Sequence, residues 1–256
     1  MFGNFFTKLK DFFFASSKNL RDKKIERIIT EKVDGLQKHF GIHANNRDYF
    51  VKALTHRSFI ELAPFLEKSN ERLEFLGDSV LSIIVSHHLF NSFPDEEEGF
   101  LTKSRSLMVN KEALARAATA MELKSFILYD GRFVNGSSQG IKTILADALE
   151  AFIGAVYLDQ GFDSATALVN KWIIEPNLID GELPADKNYK GRLLELAHAS
   201  KLSSPTYKVV KEEGPEHDKK FTVEVYIRGA KYGVGTGKSK KEAEQNSAKN
   251  AIDKME

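Results

Sequence analysis

The chain has no cysteine. That excludes a disulfide framework and every thiolate metal site, and it fits a reducing compartment, so a cytoplasmic location is the expectation. Long apolar runs are lacking too. No uncharged stretch reaches the roughly 18–20 residues that span a bilayer, and no membrane partner is expected. A secretory signal is also absent from this reading. The start is rich in phenylalanine, with Phe2, Phe5, Phe6, Phe12, Phe13 and Phe14, but Lys8, Lys10 and Asp11 interrupt it. A signal needs a continuous apolar stretch of about 7–15 residues. Residues 1–24 are set apart as an N-terminal extension: an amphipathic segment lying on a membrane or partner, or a helix packed on the protein itself.

A strong overall charge is missing as well. Over 256 residues the net charge is +1, yet it is unevenly placed. Residues 187–256 hold 15 Lys+Arg against 10 Asp+Glu, which leaves 22 against 26 in residues 1–186. An acidic body with a basic tail suggests a polyanion held by one part and worked on, with metal ions, by the other. Chance variation gives the same asymmetry, and charge alone decides little.

Residues 25–176 show apolar residues at helical spacing throughout, broken by turn signals at Phe93-Pro94-Asp95 and Asn135-Gly136. This predicts one all-α domain. Residues 177–187, rich in proline, glycine and acids, read as a linker. Residues 188–256 change texture. Helical spacing over 189–201 is followed by three strand-like runs near 206–211, 219–227 and 231–237, then a helix over 239–255. The order α-β-β-β-α predicts a small α+β domain with both helices on one face of a three-stranded antiparallel sheet.

Two stretches of the helical domain carry chemistry. In residues 70–81, NERLEFLGDSVL, the acids Glu71, Glu74 and Asp78 stand at i, i+3, i+7. On a helix they fall within roughly 60° of one another. Leu73, Leu76, Val80, Ile83 and Ile84 fall on the opposite side. In residues 144–158, ILADALEAFIGAVYL, Asp147 and Glu150 are the only charged residues, with Gly154 on the same stripe. An acidic pair at i, i+3 is usually a solvated face. Here everything around it is apolar, and a buried carboxylate costs several kcal/mol unless a cation or metal neutralises it. No Lys or Arg lies at helical spacing within the segment, and Gly154 lets another group approach the backbone closely. Clustered acids cannot all ionise unaided. A hard divalent ion resolves this, and Mg²⁺ favours oxygen ligands with retained water and substrate phosphates. Such sites activate water, orient phosphate and stabilise a leaving oxygen in phosphodiester hydrolysis. A structural ion site without catalysis is the alternative.

In the basic domain, Lys238, Lys240 and Lys241 open the last helix after a glycine-rich turn, where a helix N-terminus already favours phosphate. Gly214-Pro215 and His217 occupy a loop between two strands. Lysines at a helix start are often only a solvated surface, and a loop histidine is often incidental. Together, in one small domain, they point to duplex RNA, which is read largely by shape.

The motif at 70–81, ALTHRSF at 53–59 and LADALEAFIGAVYLDQG at 145–161 resemble blocks of the ribonuclease III family in its compact bacterial form. Residues 188–256 resemble its double-stranded RNA-binding domain. The resemblance spans residues 25–256. It implies an all-α N-terminal endonuclease domain plus an α+β RNA-binding domain. It also implies a homodimer that cuts double-stranded RNA, leaving 5′-phosphate and 3′-hydroxyl ends with short 3′ overhangs. The substrates implied are precursors of ribosomal RNA and other structured RNAs. By position, the resemblance puts metal ligands at Glu74, Asp78, Asp147 and Glu150, with Asp78 and Glu150 essential for catalysis and Glu71 accessory. The ion implied is Mg²⁺, with Mn²⁺ as a substitute. Phe75 matches an aromatic that packs into the partner subunit; an ordinary core phenylalanine is the competing reading. His217 matches a minor-groove contact, and Lys238, Lys240 and Lys241 match phosphate contacts. Leu194 departs from the pattern, since a glutamine commonly stands there, and His198 one turn on is a partial substitute. A non-cleaving duplex-RNA-binding protein is the different-class alternative, and changing Glu150 separates the two.

Overall fold

The computed structural model describes residues 3–134, 137–178, 188–215 and 218–255, with side chains from residue 20 onward except that of Val134. The phenylalanine side chains of the N-terminal extension, the linker from residue 179, the Asn135-Gly136 turn and His217 lie outside the described residues. The chain divides into two compact units, Met1–Pro184 and Ala185–Glu256.

The first unit is helical, as the 3.6-residue spacing of its apolar positions requires. Its elements are α1 (Gly3–Phe40), α2 (Arg47–Leu54), α3 (Arg57–Ile60), α4 (Glu71–Ser92), α5 (Glu98–Val109), α6 (Lys111–Ala120), α7 (Gly131–Val134), α8 (Ser138–Gln160), α9 (Phe162–Val169) and α10 (Glu175–Asn177). A π-helical turn over Asn170–Ile174 links α9 to α10. The sole strand-like feature among its described residues is an isolated parallel bridge between Thr55 and Leu128. Local signals set the helix starts. Asn46, Asn110 and Ser137 each cap a helix through a side-chain oxygen that accepts a backbone N–H of the first turn.

α8 is the central element. Its residues Ile144, Leu145, Ala148, Leu149, Phe152 and Ile153 are buried, and it packs against α2, α4, α6 and α9. α4 is the one described helix apolar and long enough to cross a membrane. Here it buries Leu73, Val80, Leu81, Ile84, Val85 and Leu89 in the domain core instead. The spacing expectation fails at one position. Ile83 is 57% exposed, because the apolar sector of α4 is wider than the face that α8 covers. Phe75, at 78%, and Phe90, at 69%, are exposed as well. At about 100° per residue the three fall within roughly 80° of one another.

The second unit has α11 (Tyr189–Ala199), strands β1 (Thr206–Glu213), β2 (Lys220–Ile227) and β3 (Ala230–Gly237), and α12 (Lys240–Ile252). The sheet is antiparallel in the order β1-β2-β3. Phe221, Val223, Val225 and Ile227 alternate on its buried face; Val225 and Ile227 pack with Leu193 and Ala197 of α11 and Ala248, Ala251 and Ile252 of α12, and Phe221 and Val223 with Ala243 of α12. The exchange of sides along β2 is the period-two pattern of a half-buried strand. α12 sits directly on β3 because Gly235 lacks a side chain; a Cβ there would lie 2.1 Å from the Ser247 nitrogen.

Candidate metal centre and nucleic-acid interface

Asn70 precedes α4, and its backbone fixes where that helix begins. Its N–H donates to the Thr55 carbonyl at 2.8 Å, while its own carbonyl accepts from Leu73 and Glu74 at 2.9 Å. His56 N–H donates to Leu128 O at 2.9 Å, and Leu128 N–H to Leu54 O at 2.8 Å. This double tie secures the segment between α2 and α3 beside the start of α4.

α4 and α8 then cross almost backbone to backbone. A Cβ on Gly77 would lie 1.7 Å from the Glu150 carbonyl oxygen, and one on Gly154 would lie 2.5 Å from the Leu73 carbonyl. The close approach expected at Gly154 is present, and Gly77 is its counterpart on α4. Acids that flank these two glycines are thereby brought together. Carboxylate oxygens of Glu74, Asp147 and Glu150 come within 4.8 Å of one another. Asp78 and Glu71 line the same cavity, of about 670 Å³, without joining that trio. Glu71 is exposed and accepts from Ser69 Oγ at 2.9 Å.

The electrostatics of the trio are those of charges crowded away from water. Burial pushes the Glu150 carboxyl up to about 8, and the charges of Asp78, Glu74 and Asp147 push the same way. Burial also raises Glu74, with Asp147 adding to it. One cation opposes this. Lys111, at the start of α6, reaches Asp147 at 3.4 Å, so the lack of a basic partner within residues 144–158 is made good from another helix. Asp147 is itself 16% exposed. Three carboxylates with no imidazole or thiolate among them form a hard oxygen donor set, which suits Mg²⁺ or Mn²⁺ rather than zinc. The reluctance of Glu74 and Glu150 to ionise is what a divalent ion would relieve.

Phe75 lines the cavity and is not a core residue. Phe133 lines it too, with its ring centroid 5.3 Å from that of His56. Among residues that spacing alone did not single out, Gly77, Lys111, His56, Arg57 and Asn70 all belong to this site. His56, Arg57 and Asn70 lie within the ALTHRSF and NERLEFLGDSVL stretches, so a signal for them was present.

In the second unit, Ser239 caps α12 by accepting from Glu242 N–H at 3.2 Å, and the Glu242 carboxylate accepts from Lys238 N–H at 2.7 Å. The reciprocal bonds fix the turn that carries Lys238, Lys240 and Lys241, all three exposed. The Lys240 ammonium lies 5.6 Å from the Phe221 ring centroid. On α11, Leu194, Glu195 and His198 are exposed, and His198 Nε2 lies 3.2 Å from Ser204 Oγ.

Comparison with known proteins adds to this geometry. The profile of the Ribonuclease-III-like family matches residues 46–177, and that of the double-stranded RNA binding motif matches residues 189–255. The chain is 40% identical over 222 residues to ribonuclease 3 of Chlorobium chlorochromatii, covering 86% of this chain and 89% of that one. It is 48% identical over 204 residues to ribonuclease 3 of Streptomyces coelicolor, covering 78% of this chain and 72% of that one. The nuclease domain of ribonuclease III from Campylobacter jejuni, whose structure has a flexible region involved in dimer formation, is 36% identical. It aligns with a TM-score of 0.50, over 55% of this chain and 94% of its own.

Proposed function

The chain belongs to the ribonuclease III family, and from that premise we propose how this double-stranded-RNA-specific endoribonuclease assembles its cleavage site. The observation that carries the reading is the convergence of Glu74, Asp147 and Glu150 within 4.8 Å. These three, with Asp78 beside them, would hold Mg²⁺, or Mn²⁺ in its place. A bound divalent ion supplies charge neutralisation and Lewis-acid activation for in-line attack of water on phosphorus. Asp78 and Glu150 are the acids on which catalysis depends, and Glu71 shapes the rim. The protein's own contribution is to hold these groups at fixed separation on two helices that cannot slide apart.

The basic domain grips the duplex. Lys238, Lys240 and Lys241 take backbone phosphates at the start of α12, and His217 enters a minor groove. Leu194 presents an apolar surface on α11 where the family commonly places glutamine, so the contact there is weaker in base preference and passes partly to His198. Precursors of ribosomal RNA and other structured RNAs in the cytoplasm are the substrates this reading assigns.

Each subunit cuts one strand, giving 5′-phosphate and 3′-hydroxyl ends with short 3′ overhangs. Incubating the protein with a defined RNA hairpin and Mg²⁺, then mapping both ends, tests this. Staggered cuts with 5′-phosphates are expected; 3′-phosphate ends or cuts in single-stranded regions would contradict it.

The homodimer forms, on this reading, over the exposed apolar face of α4, with Phe75 entering the partner. An exposed face carrying Phe75, Ile83 and Phe90 is unusual in a monomer. Phe75→Asp is expected to give monomers in sedimentation equilibrium and to lose paired cutting of both strands. A dimer of wild-type affinity would remove Phe75 from the interface.

A further inference from the structure

The cavity that gathers the acids is also lined by residues that the metal reading leaves unused, His56, Arg57 and Asn70. Asparagine is among the best helix caps, because its side-chain oxygen accepts an orphan backbone N–H. The Asn70 side chain makes no such bond to α4. The residue is 2% exposed, and its Nδ2 has no hydrogen-bond partner among the described residues. A buried donor left unpaired is destabilising. The backbone bonds of Asn70 to Thr55, Leu73 and Glu74 hold it there nonetheless. A buried group left unpaired calls for an explanation, and a partner that arrives with a ligand is one.

His56 is prepared in the same sense. Its Nδ1 accepts from Ser58 N–H at 3.2 Å and lies 2.8 Å from Ser58 Oγ. That hydroxyl oxygen already accepts from Asp130 N–H at 3.0 Å, so its own proton is free for Nδ1. With Nδ1 accepting, the neutral ring carries its proton on Nε2. Burial and the neighbouring Arg57 charge favour the neutral ring and outweigh the opposing charges of Asp147 and Glu71. Arg57 is exposed, with its guanidinium carbon 5.8 Å from the Phe133 ring centroid. It also lines an adjoining hollow that holds Arg132. The lining of the cavity thus combines the acids with three residues that carry hydrogen-bond donors.

We infer that His56, Arg57 and Asn70 form a donor cradle for a non-bridging oxygen of the RNA phosphodiester, with the Asn70 amide as its orienting contact. The inference rests on the cavity being the cleavage site. A phosphodiester oxygen brought there meets a donor whose desolvation has already been met by folding. It therefore gains more from that bond than it would in water. With a divalent ion bound the acids are ionised and cannot supply this contact, since ionised carboxylates only accept.

Asn70→Ala, Asn70→Ser and Glu150→Gln, compared with the wild type on a defined RNA hairpin in Mg²⁺ under single-turnover conditions, test it. The thermal midpoint of each metal-free protein is measured alongside. Removing one preorganised donor costs about 10²-fold in rate, and that loss is expected for Asn70→Ala. Its half-saturating Mg²⁺ concentration should be unchanged. Its thermal midpoint should be unchanged or higher, because an unpaired buried donor has been removed. Asn70→Ser keeps a donor and should fall between. Asn70→Ala cutting at nearly the wild-type rate beside an inactive Glu150→Gln would overturn the cradle alone, as would a rate loss that tracks a lowered midpoint. Glu150→Gln cutting like the wild type would overturn the site, and the cradle with it.

Discussion

Glu150→Gln is expected to abolish cleavage and, at the same time, to stabilise the metal-free protein at alkaline pH. The two effects have one cause. Glu150 sits where burial and three neighbouring acids oppose its charge, which lifts its carboxyl from the ordinary 4.5 to about 8. In the unfolded chain it ionises near the ordinary value. Between about pH 4.5 and 8 the folded protein therefore holds a proton that the unfolded chain has released, and stability falls as pH rises through that window. The full shift corresponds to about 5 kcal/mol as a ceiling, and screening by the solvent that reaches this cavity reduces it to about 2 kcal/mol. Glutamine carries no charge and escapes the penalty. In EDTA, the wild type should melt several degrees lower at pH 8.5 than at pH 5.5, and Glu150→Gln should lose most of that difference. Adding Mg²⁺ at pH 8.5 should raise the wild-type midpoint and leave the variant's unmoved, since a ligand stabilises only the state that binds it. Cleavage of duplex RNA should fall at least about 10³-fold, because several kcal/mol of charge stabilisation at the phosphate are lost with the metal. A variant that cuts normally, or a wild type that gains stability with rising pH, would refute the assignment.

That coupling explains how the site could be read from sequence at all. Asp147 and Glu150 stand out because nothing else charged shares their helix. Their isolation in an apolar segment signals a carboxylate kept inside against its own preference. The α-β-β-β-α order of the second unit was equally legible, because the alternation along β2 and the cap at Ser239 are written in adjacent residues. What spacing could not give was the crossing. Lys111 lies 36 residues from Asp147 in the chain, and no local pattern announces that the two will meet. Ile83 looked like a core residue because helical periodicity reports which side is apolar, not how much of that side a neighbouring helix covers. Phe75 was open between core and interface for the same reason, and only its exposure closes the core reading. Asn70 carries no signal of its own in the sequence, since an asparagine before a helix is ordinarily its cap. Its unused side chain is visible only once the hydrogen bonds are counted.

Gly77→Ala is expected to destabilise the protein by about 3 kcal/mol and to cut the rate of cleavage by about 10²-fold. The direction runs against helix propensity. An interior glycine costs a helix about 1 kcal/mol relative to alanine, so propensity alone predicts a gain. At Gly77 the new methyl would lie 1.7 Å from the Glu150 carbonyl oxygen and 3.0 Å from the Gly154 nitrogen. Both are backbone atoms in the middle of a buried helix, and neither can rotate away. Relief requires α4 and α8 to separate by more than 1 Å or so, which breaks close packing along the crossing. The same movement draws Glu74 away from Asp147 and Glu150. A site that works by fixed positioning loses about two orders of magnitude in rate when it is misplaced by that much. Gly99→Ala supplies the contrast, because a Cβ there meets nothing within 4 Å, and it should leave stability equal or slightly higher. Urea unfolding and single-turnover cleavage of both variants decide the matter. If Gly77→Ala were as stable and active as Gly99→Ala, the direct contact of α4 with α8 could not be what brings the acids together. If instead stability and rate fall together at Gly77 alone, a glycine that carries no chemistry is as necessary to the site as the three carboxylates that do.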